Sequence, residues 1–250
     1  MLPAAQARML RELADDALVL DVGGWAAPFN RATHMIDAMP YETRGALGYS
    51  FGGSTERFSR ETWVQRDICD REPWPYPDDW FDFVLCVTTL EDVRDPIWVC
   101  SEMSRVAKAG YVEVPAVELE LTWEVGAGGG PYLGHAHHRW LCDLVDGELV
   151  FTHKPHSIHS DWRLRVTTAR NASMTVEEQL IGHFWEGAIA ARERLFIVTS
   201  PHDELIDRVR RRFPPSRREL ALKRARERAR RRAASVARPA REALARALAR

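Results

Sequence analysis

The sequence predicts an α/β fold: a mostly parallel sheet flanked by helices, then a β-rich part and a basic helical tail. Three observations predict it. Short apolar runs ending near acids recur in the first half, at 17–20 before Asp21, 33–36 before Asp37 and 81–87 before Glu91 and Asp92. Runs of that length bounded by turn residues are the pattern of buried strands. Crossover and helical segments separate them, which favours parallel pairing. Composition then changes near residue 206. The 45 residues from there on hold 17 Lys/Arg against 4 Asp/Glu, whereas the 205 before them hold 18 against 32.

Taken in order, the chain opens with M-L-P-A-A-Q-A-R-M-L-R-E-L, an expected amphipathic helix with Met9, Leu10 and Leu13 on one side. The runs at 17–20 and 33–36 are the first two strands. Residues 38–53 are rich in glycine and polar residues, so they read as a loop. Such a loop either closes over a ligand or is a long connection. A short strand is expected at 62–66, ending at Asp67. The stretch R-E-P-W-P-Y-P-D-D-W holds three prolines, which exclude a regular helix. Residues 81–87 (F-D-F-V-L-C-V) are the strongest buried strand. A helix follows over 96–106, with Pro96 suited to its first turn and Ala109-Gly110 expected to end it. The next strand is 111–114, closed by Pro115.

Residues 117–187 form a variable region. A flexible entry at Gly126, Gly128, Gly129, Gly130 and Pro131 leads to two strands around Asp146-Gly147, a hairpin signal. A helix is expected over 176–184 and a last long strand over 188–198. Two parts are therefore expected, 1–205 as one α/β domain and 206–250 as an Arg/Ala-rich helical or disordered tail. The tail's apolar side is mostly alanine, which is thin for a core.

No run of about 18 apolar residues exists, so no membrane span is expected, and the start lacks the apolar core of a signal peptide. Cys69, Cys86, Cys100 and Cys142 show no C-x-x-C pairing and read as reduced, buried thiols of a cytoplasmic protein. The tail's arginine runs, at 210–212, 217–218 and 230–232, suit an anionic surface or a protein partner. They lack interleaved aromatics, so specific nucleic-acid binding is not expected.

The candidate site begins at Asp21, Gly23 and Gly24. A strand tip with acid and glycine is where open α/β sheets place ligands, beyond the carboxyl ends of the strands. Asp37, at the next tip, suits the two hydroxyls of a ribose. Six of the nine histidines fall between residues 135 and 159. His135, His137 and His138, with Arg139, read as a catalytic or substrate-binding patch, His138 and Arg139 foremost because they directly precede a strand. The other readings are ordinary loop histidines, or a metal site whose spacing matches no strong template, and no metal is assigned. Glu91 and Asp92 lie where substrate would meet the sheet, or else serve as acids at a helix N-terminus. Trp74, Trp80, Trp98 and Trp140 read as packing residues rather than a sugar platform.

Several patches together resemble the class I S-adenosylmethionine-dependent methyltransferases, specifically the type 11 domain group. They are Asp21-Val22-Gly23-Gly24, Asp37, Asp67-Ile68, W-P-Y-P-D-D-W-F-D-F-V-L-C-V-T-T-L-E-D-V-R-D-P, and S-E-M-S-R-V-A-K-A-G running into Y-V-E-V-P. The match covers roughly residues 17–116. The resemblance implies a Rossmann-like sheet and S-adenosyl-L-methionine as cofactor. It implies Asp21 and Gly23 under the methionine part, Asp37 on the ribose, Asp67 and Ile68 at the adenine, and Thr88 and Thr89 beside the sulfonium. Trp25 and Ala27 stand where that family's turn has its second and third glycines, and Asp92 where its L-E-H motif has histidine. O-methylation of a small molecule or glycan is the expected activity, the histidines offering a base. The alternative is a non-catalytic binding or scaffold protein on a degenerate form of that fold, its pocket filled by Trp25. A dinucleotide or nucleotide-sugar enzyme would need a G-x-G-x-x-G turn, which Pro28 and the missing glycines oppose.

Overall fold

The computed structural model describes residues 1–125, 130, 132–197, 199–214 and the single positions 217, 221 and 225. Helix α1 (Pro3–Glu12) carries proline at its start and buries Ala5 and Met9. Leu2 and Leu13 pack against the same cluster, while Leu10 is 44% exposed. The expected face is thereby corrected: Ala5, Met9 and Leu13 lie one turn apart, and Leu10 is rotated about 100° off that stripe.

Strands β1 (Val19–Val22), β2 (His34–Asp37), β3 (Trp63–Gln65) and β4 (Phe83–Val87) follow. Asp21 lies within β1 rather than beyond it. Helix α2 (Pro96–Val106) starts at Asp95, whose carboxylate accepts the Trp98 N–H at 2.9 Å. That N-cap satisfies one of the free donors of the first turn, so the capping acid is neither Glu91 nor Asp92. The helix ends at Val106, and Ala109-Gly110 do not terminate it: they open β5 (Ala109–Pro115).

The first sheet runs β3-β2-β1-β4-β5, all parallel, and a further strand, described below, closes its edge. In register, Asp21 faces Met35 of β2 on one side and Leu85 of β4 on the other. Side chains alternate between two cores, as the strand period of two requires. Leu20, Val22, Val84, Cys86, Val112 and Val114 join Val99, Cys100, Met103 and Val106 of α2 on one face. Val19, Met35, Phe83, Leu85 and Tyr111 meet Ala5 and Met9 of α1 on the other. All four cysteines are buried and free.

After the short helix α3 (Val117–Glu120), β6 (Trp140–Val145) and β7 (Glu148–His153) form the expected hairpin. Asp146 and Gly147 both have positive φ, 51° and 83°, as a two-residue turn of this hand demands. Two one-turn helices follow, α4 (Thr168–Asn171) and α5 (Val176–Gln179). The helix expected over 176–184 stops at Gln179, and the rest is β8 (Leu180–Glu186). A capping box between Thr175 and Glu178 starts the turn, but β8 pairs antiparallel with the whole of β5, seven residues in register. Continuous edge pairing outweighs local helix propensity there.

The strand expected over 188–198 is also shorter. Only β9 (Ala191–Arg194) is strand, paired parallel to β7 in the second sheet, order β6-β7-β9. Leu195 and Ile197 are 67% and 87% exposed, and Val198 lies outside the described residues.

The first compact unit is Met1–Asp203 and the second Glu204–Arg250. Helix α6 (His202–Arg212) spans that boundary, with Leu205, Ile206 and Val209 on one face and Arg210, Arg211 and Arg212 in its last turn. Arg218, the run at 230–232 and nearly all of the expected tail helix lie outside the described residues, as do Gly126, Gly128, Gly129 and Pro131. No described helix is long and apolar enough to cross a membrane.

Candidate active site

Chain order reverses between β1 and β4, since β1 continues to β2 on one side and β4 to β5 on the other. A crevice forms beyond the strand ends at such a point. A cavity of about 140 Å³ lies there, lined by Asp21, Gly23 and Gly24 from β1 and its turn and by Leu85, Val87 and Thr88 from β4. Ala26, Ala27, Glu113 and Met1 complete the near walls. The loop after β2 covers it. Gly45 and Leu47 donate backbone hydrogen bonds to Trp25 and Ala26, and Leu47, Tyr49 and Phe51 line the cavity. Of the two readings of 38–53, the covering loop is the one observed.

Asp21 is 2% exposed and accepts the Phe29 N–H at 2.9 Å. Burial raises its pKa to about 7, against the pull of that hydrogen bond, and the charge of Asp37 adds to the rise. Gly23 has φ +77°, and Gly24 sits so close to Asp21 that a Cβ would lie 2.2 Å from the carboxylate. Gly24→Ala therefore displaces Asp21 and is expected to cost roughly 2 kcal/mol by overpacking. Urea unfolding measures this, and an unchanged midpoint would refute the contact. Thr88 has φ +48° and its N–H donates to the Glu113 carbonyl at 2.8 Å. A β-branched residue is strained there, and such strain gathers at sites that need a fixed geometry.

Asp37 is 7% exposed and is held differently. One oxygen accepts the Trp25 N–H at 3.0 Å, the other the Met39 N–H at 2.8 Å, and burial raises its pKa. It does not line the cavity that Asp21 lines. The two carboxylates stand on adjacent strands, but no shared opening joins them among the described residues. Trp25 does not fill the cavity either. Its indole N–H donates to Thr43 Oγ1 at 2.9 Å, and the wall is made by Gly23, Gly24, Ala26 and Ala27. Asp67 is ion-paired with Arg94 and accepts the Cys69 N–H, while Ile68 packs into the core. Neither lines the cavity.

The six histidines divide. His159 accepts the Leu133 N–H through Nδ1 at 3.0 Å, and His153 packs edge-on against Trp140. His135, His137 and His138 form a cluster, outside the cavity lining, whose ring centroids are 4.6–5.6 Å apart. Arg139 is exposed, and its backbone N–H donates to the Glu91 carbonyl at 2.7 Å. Beneath the cluster lie two residues the sequence did not single out. Glu120 accepts from His138 Nδ1 at 2.7 Å through one oxygen and from Lys154 Nζ at 2.6 Å through the other. Burial alone would raise the Glu120 pKa, but the His138 hydrogen bond and the Lys154 charge bring it below the usual value. These partners are 18 and 34 residues away in sequence, so no local spacing signals them. Glu91 is fully buried with both carboxylate oxygens lacking a hydrogen-bond partner, and burial pushes its pKa far up. A neutral acid inside the protein is therefore the state of Glu91 at pH 7. The tryptophans mostly pack as expected: Trp74 and Trp140 are buried, with indole N–H groups on the Ile68 and Val93 carbonyls, though Trp80 is 48% exposed.

Residues 51–112 match a family described as a methyltransferase domain. No curated protein matches the chain. Among solved structures it is similar to the YcgJ protein of Bacillus subtilis, with 20% identity, 45% of this chain and 51% of that one covered, and a TM-score of 0.32. It is also similar to an S-adenosylmethionine-dependent methyltransferase of Aquifex aeolicus, with 19% identity, 45% and 64% covered, and a TM-score of 0.32. An arsenic(III) S-adenosylmethionine methyltransferase of Chlamydomonas reinhardtii shows 17% identity, 46% and 50% covered, and a TM-score of 0.30. The chain thus spans about half to two thirds of the length of these proteins. From the loop over the cavity to the middle of β5, residues 51–112 carry the sequence of a methyltransferase domain.

Proposed function

We propose that this chain is a class I S-adenosylmethionine-dependent methyltransferase. One observation carries the reading: a buried carboxylate and two glycines stand at the switch point of a parallel sheet, inside a chain whose residues 51–112 match a methyltransferase domain. Asp21 supplies a negative charge for the ammonium or sulfonium end of the donor. Gly23 and Gly24 let the backbone approach it, and Thr88 is fixed on the opposite wall. S-Adenosylmethionine supplies a methyl group on a sulfonium. The protein's task is to hold donor and acceptor in line.

The acceptor we infer is an oxygen of a small molecule or glycan. Its O–C bond forms as the C–S bond breaks, the electron pair stays on sulfur, and the hydroxyl proton leaves to a base. The His135, His137 and His138 patch, with Arg139 beside it, is the acceptor-side group. Asp37, Asp67 and Ile68 remain the proposed ribose and adenine side, and Asp37 can share its oxygens with hydroxyls because each accepts a single N–H. The covering loop must open for this, since about 140 Å³ is smaller than the ~300–1,000 Å³ of ordinary ligand pockets. The basic tail is proposed to dock on an anionic surface or protein partner of a cytoplasmic enzyme.

That small cavity favours one rival, a binding protein on a degenerate form of the fold. Titration calorimetry with S-adenosylhomocysteine decides between them. Binding at micromolar ligand supports the enzyme, and no heat at millimolar ligand supports the rival.

A further inference from the structure

The geometry points to a divalent transition-metal site, of zinc type, built from His135, His137, His138 and Asp92. The inference does not depend on methyl transfer. It concerns what the imidazole cluster holds, and it stands whether or not the cavity takes an adenosyl donor.

Three imidazoles each offer a nitrogen, and those nitrogens all lie within 4.8 Å of one another. Asp92, four residues past the strained Thr88, closes the fourth side. Its Oδ1 is 3.7 Å from His138 Nε2, and its Oδ2 is 4.0 Å from His137 Nε2. Both distances are too long for hydrogen bonds. They are close to what two ligands of one ion require, since spokes of about 2.0–2.1 Å in a tetrahedron put neighbouring ligands about 3.4 Å apart. Asp92 Oδ1 is moreover a buried carboxylate oxygen without a hydrogen-bond partner. A buried, unpartnered carboxylate oxygen is costly unless something positive meets it.

The support behind the cluster has the same character. His138 presents Nδ1 to Glu120 at 2.7 Å, so its Nδ1–H is spent there and the Nε2 lone pair faces Asp92 and the other two rings. A histidine that ligates through one nitrogen while giving the other N–H to a carboxylate is the usual outer arrangement of a metal site. Lys154 fixes the other oxygen of Glu120 at 2.6 Å, and it also donates to the His135 carbonyl at 3.0 Å, which pins the backbone of a second ligand. Burial lowers the His135 pKa, which keeps that ring in the neutral form a metal needs. Asp92 and Glu120 are two negative charges and Lys154 one positive, so a cation is not opposed. Three nitrogens and one oxygen suit Zn²⁺ by ligand type and number. His137 is largely exposed, which leaves the site open to solvent and to an acceptor oxygen as a fifth ligand.

The test uses the full chain with ZnCl₂ as probe, in equilibrium dialysis with metal quantified by plasma mass spectrometry. One Zn²⁺ retained per chain at micromolar free metal is expected. Co²⁺ in its place should give the visible absorption of a four-coordinate ion. His137→Ala and Asp92→Asn, at sites exposed enough to leave folding intact by circular dichroism, should each weaken binding more than about tenfold. Glu120→Gln, which touches no metal, should weaken it about 10- to 100-fold. Retention well below one equivalent overturns the proposal. So does wild-type affinity in both His137→Ala and Asp92→Asn, which would place the ion on other histidines.

Discussion

Replacing Glu120 by leucine should lower the thermal midpoint by roughly 10 °C. Glu120 is fully buried, and the Lys154 side chain is 2% exposed. The change leaves the ammonium inside the protein with the His135 carbonyl as its remaining hydrogen-bond acceptor. Breaking a buried pair from one side costs about 3–5 kcal/mol, far more than deleting both partners. For a domain of about 200 residues, each kcal/mol is roughly 2–4 °C. The partner change Lys154→Met, added to Glu120→Leu, should therefore restore at least half of the loss. Thermal unfolding followed by circular dichroism measures both. A single-variant shift under about 3 °C, or a double variant worse than the single, contradicts the account. The acid side has a defined sign. Because the folded pKa of Glu120 lies below its ordinary value of 4.5, its contribution is present above that value and is lost as pH falls through the lowered one.

Asp21→Asn should separate stability from binding, with opposite signs. The folded Asp21 pKa is raised to about 7 from 3.8 by burial. The native state then binds more protons than the unfolded state between those values. The stability it contributes is present below pH 3.8 and is lost as pH rises through 7. The loss is on the order of 4 kcal/mol if the full rise is realised. Asparagine keeps an oxygen for the Phe29 N–H and carries no charge. The variant should match the wild type at pH 4 and be more stable at pH 8, by urea unfolding. Binding of S-adenosylhomocysteine should move the other way. At pH 8 the variant should bind about 100-fold more weakly, the order expected when one partner of a buried charge pair is removed. Wild-type affinity should also rise with pH up to about 7, and the variant's should not. Equal stability curves for both proteins would show that Asp21 is not buried as a strained acid. Equal affinities would remove it from the donor site.

The two predictions concern residues of very different visibility. Asp21 stands out in one dimension, because an apolar run, an acid and two glycines follow each other within eight positions. Glu120 and Lys154 do not, because each is an ordinary charged residue among its neighbours. The same contrast holds for the fold. The runs at 17–20, 33–36 and 81–87 overlap β1, β2 and β4, shifted by one to two residues, and Asp146-Gly147 is the turn between β6 and β7. Residues 180–186 were expected to be helical because the turn before them is locally helical.

Taken alone, the sequence determined where strands and turns fall and which acid sits against the glycines. Apolar period, backbone freedom and capping act over a few neighbouring residues, so they can be read along the chain. The tertiary structure decided that β8 closes the sheet, because strand pairing depends on β5, more than sixty residues away. It decided that Asp37 is held by the Trp25 and Met39 N–H groups apart from Asp21, and that three histidines share one carboxylate floor. Such outcomes depend on desolvation and on distances across the fold. They are fixed only when packing has chosen which distant groups lose water together.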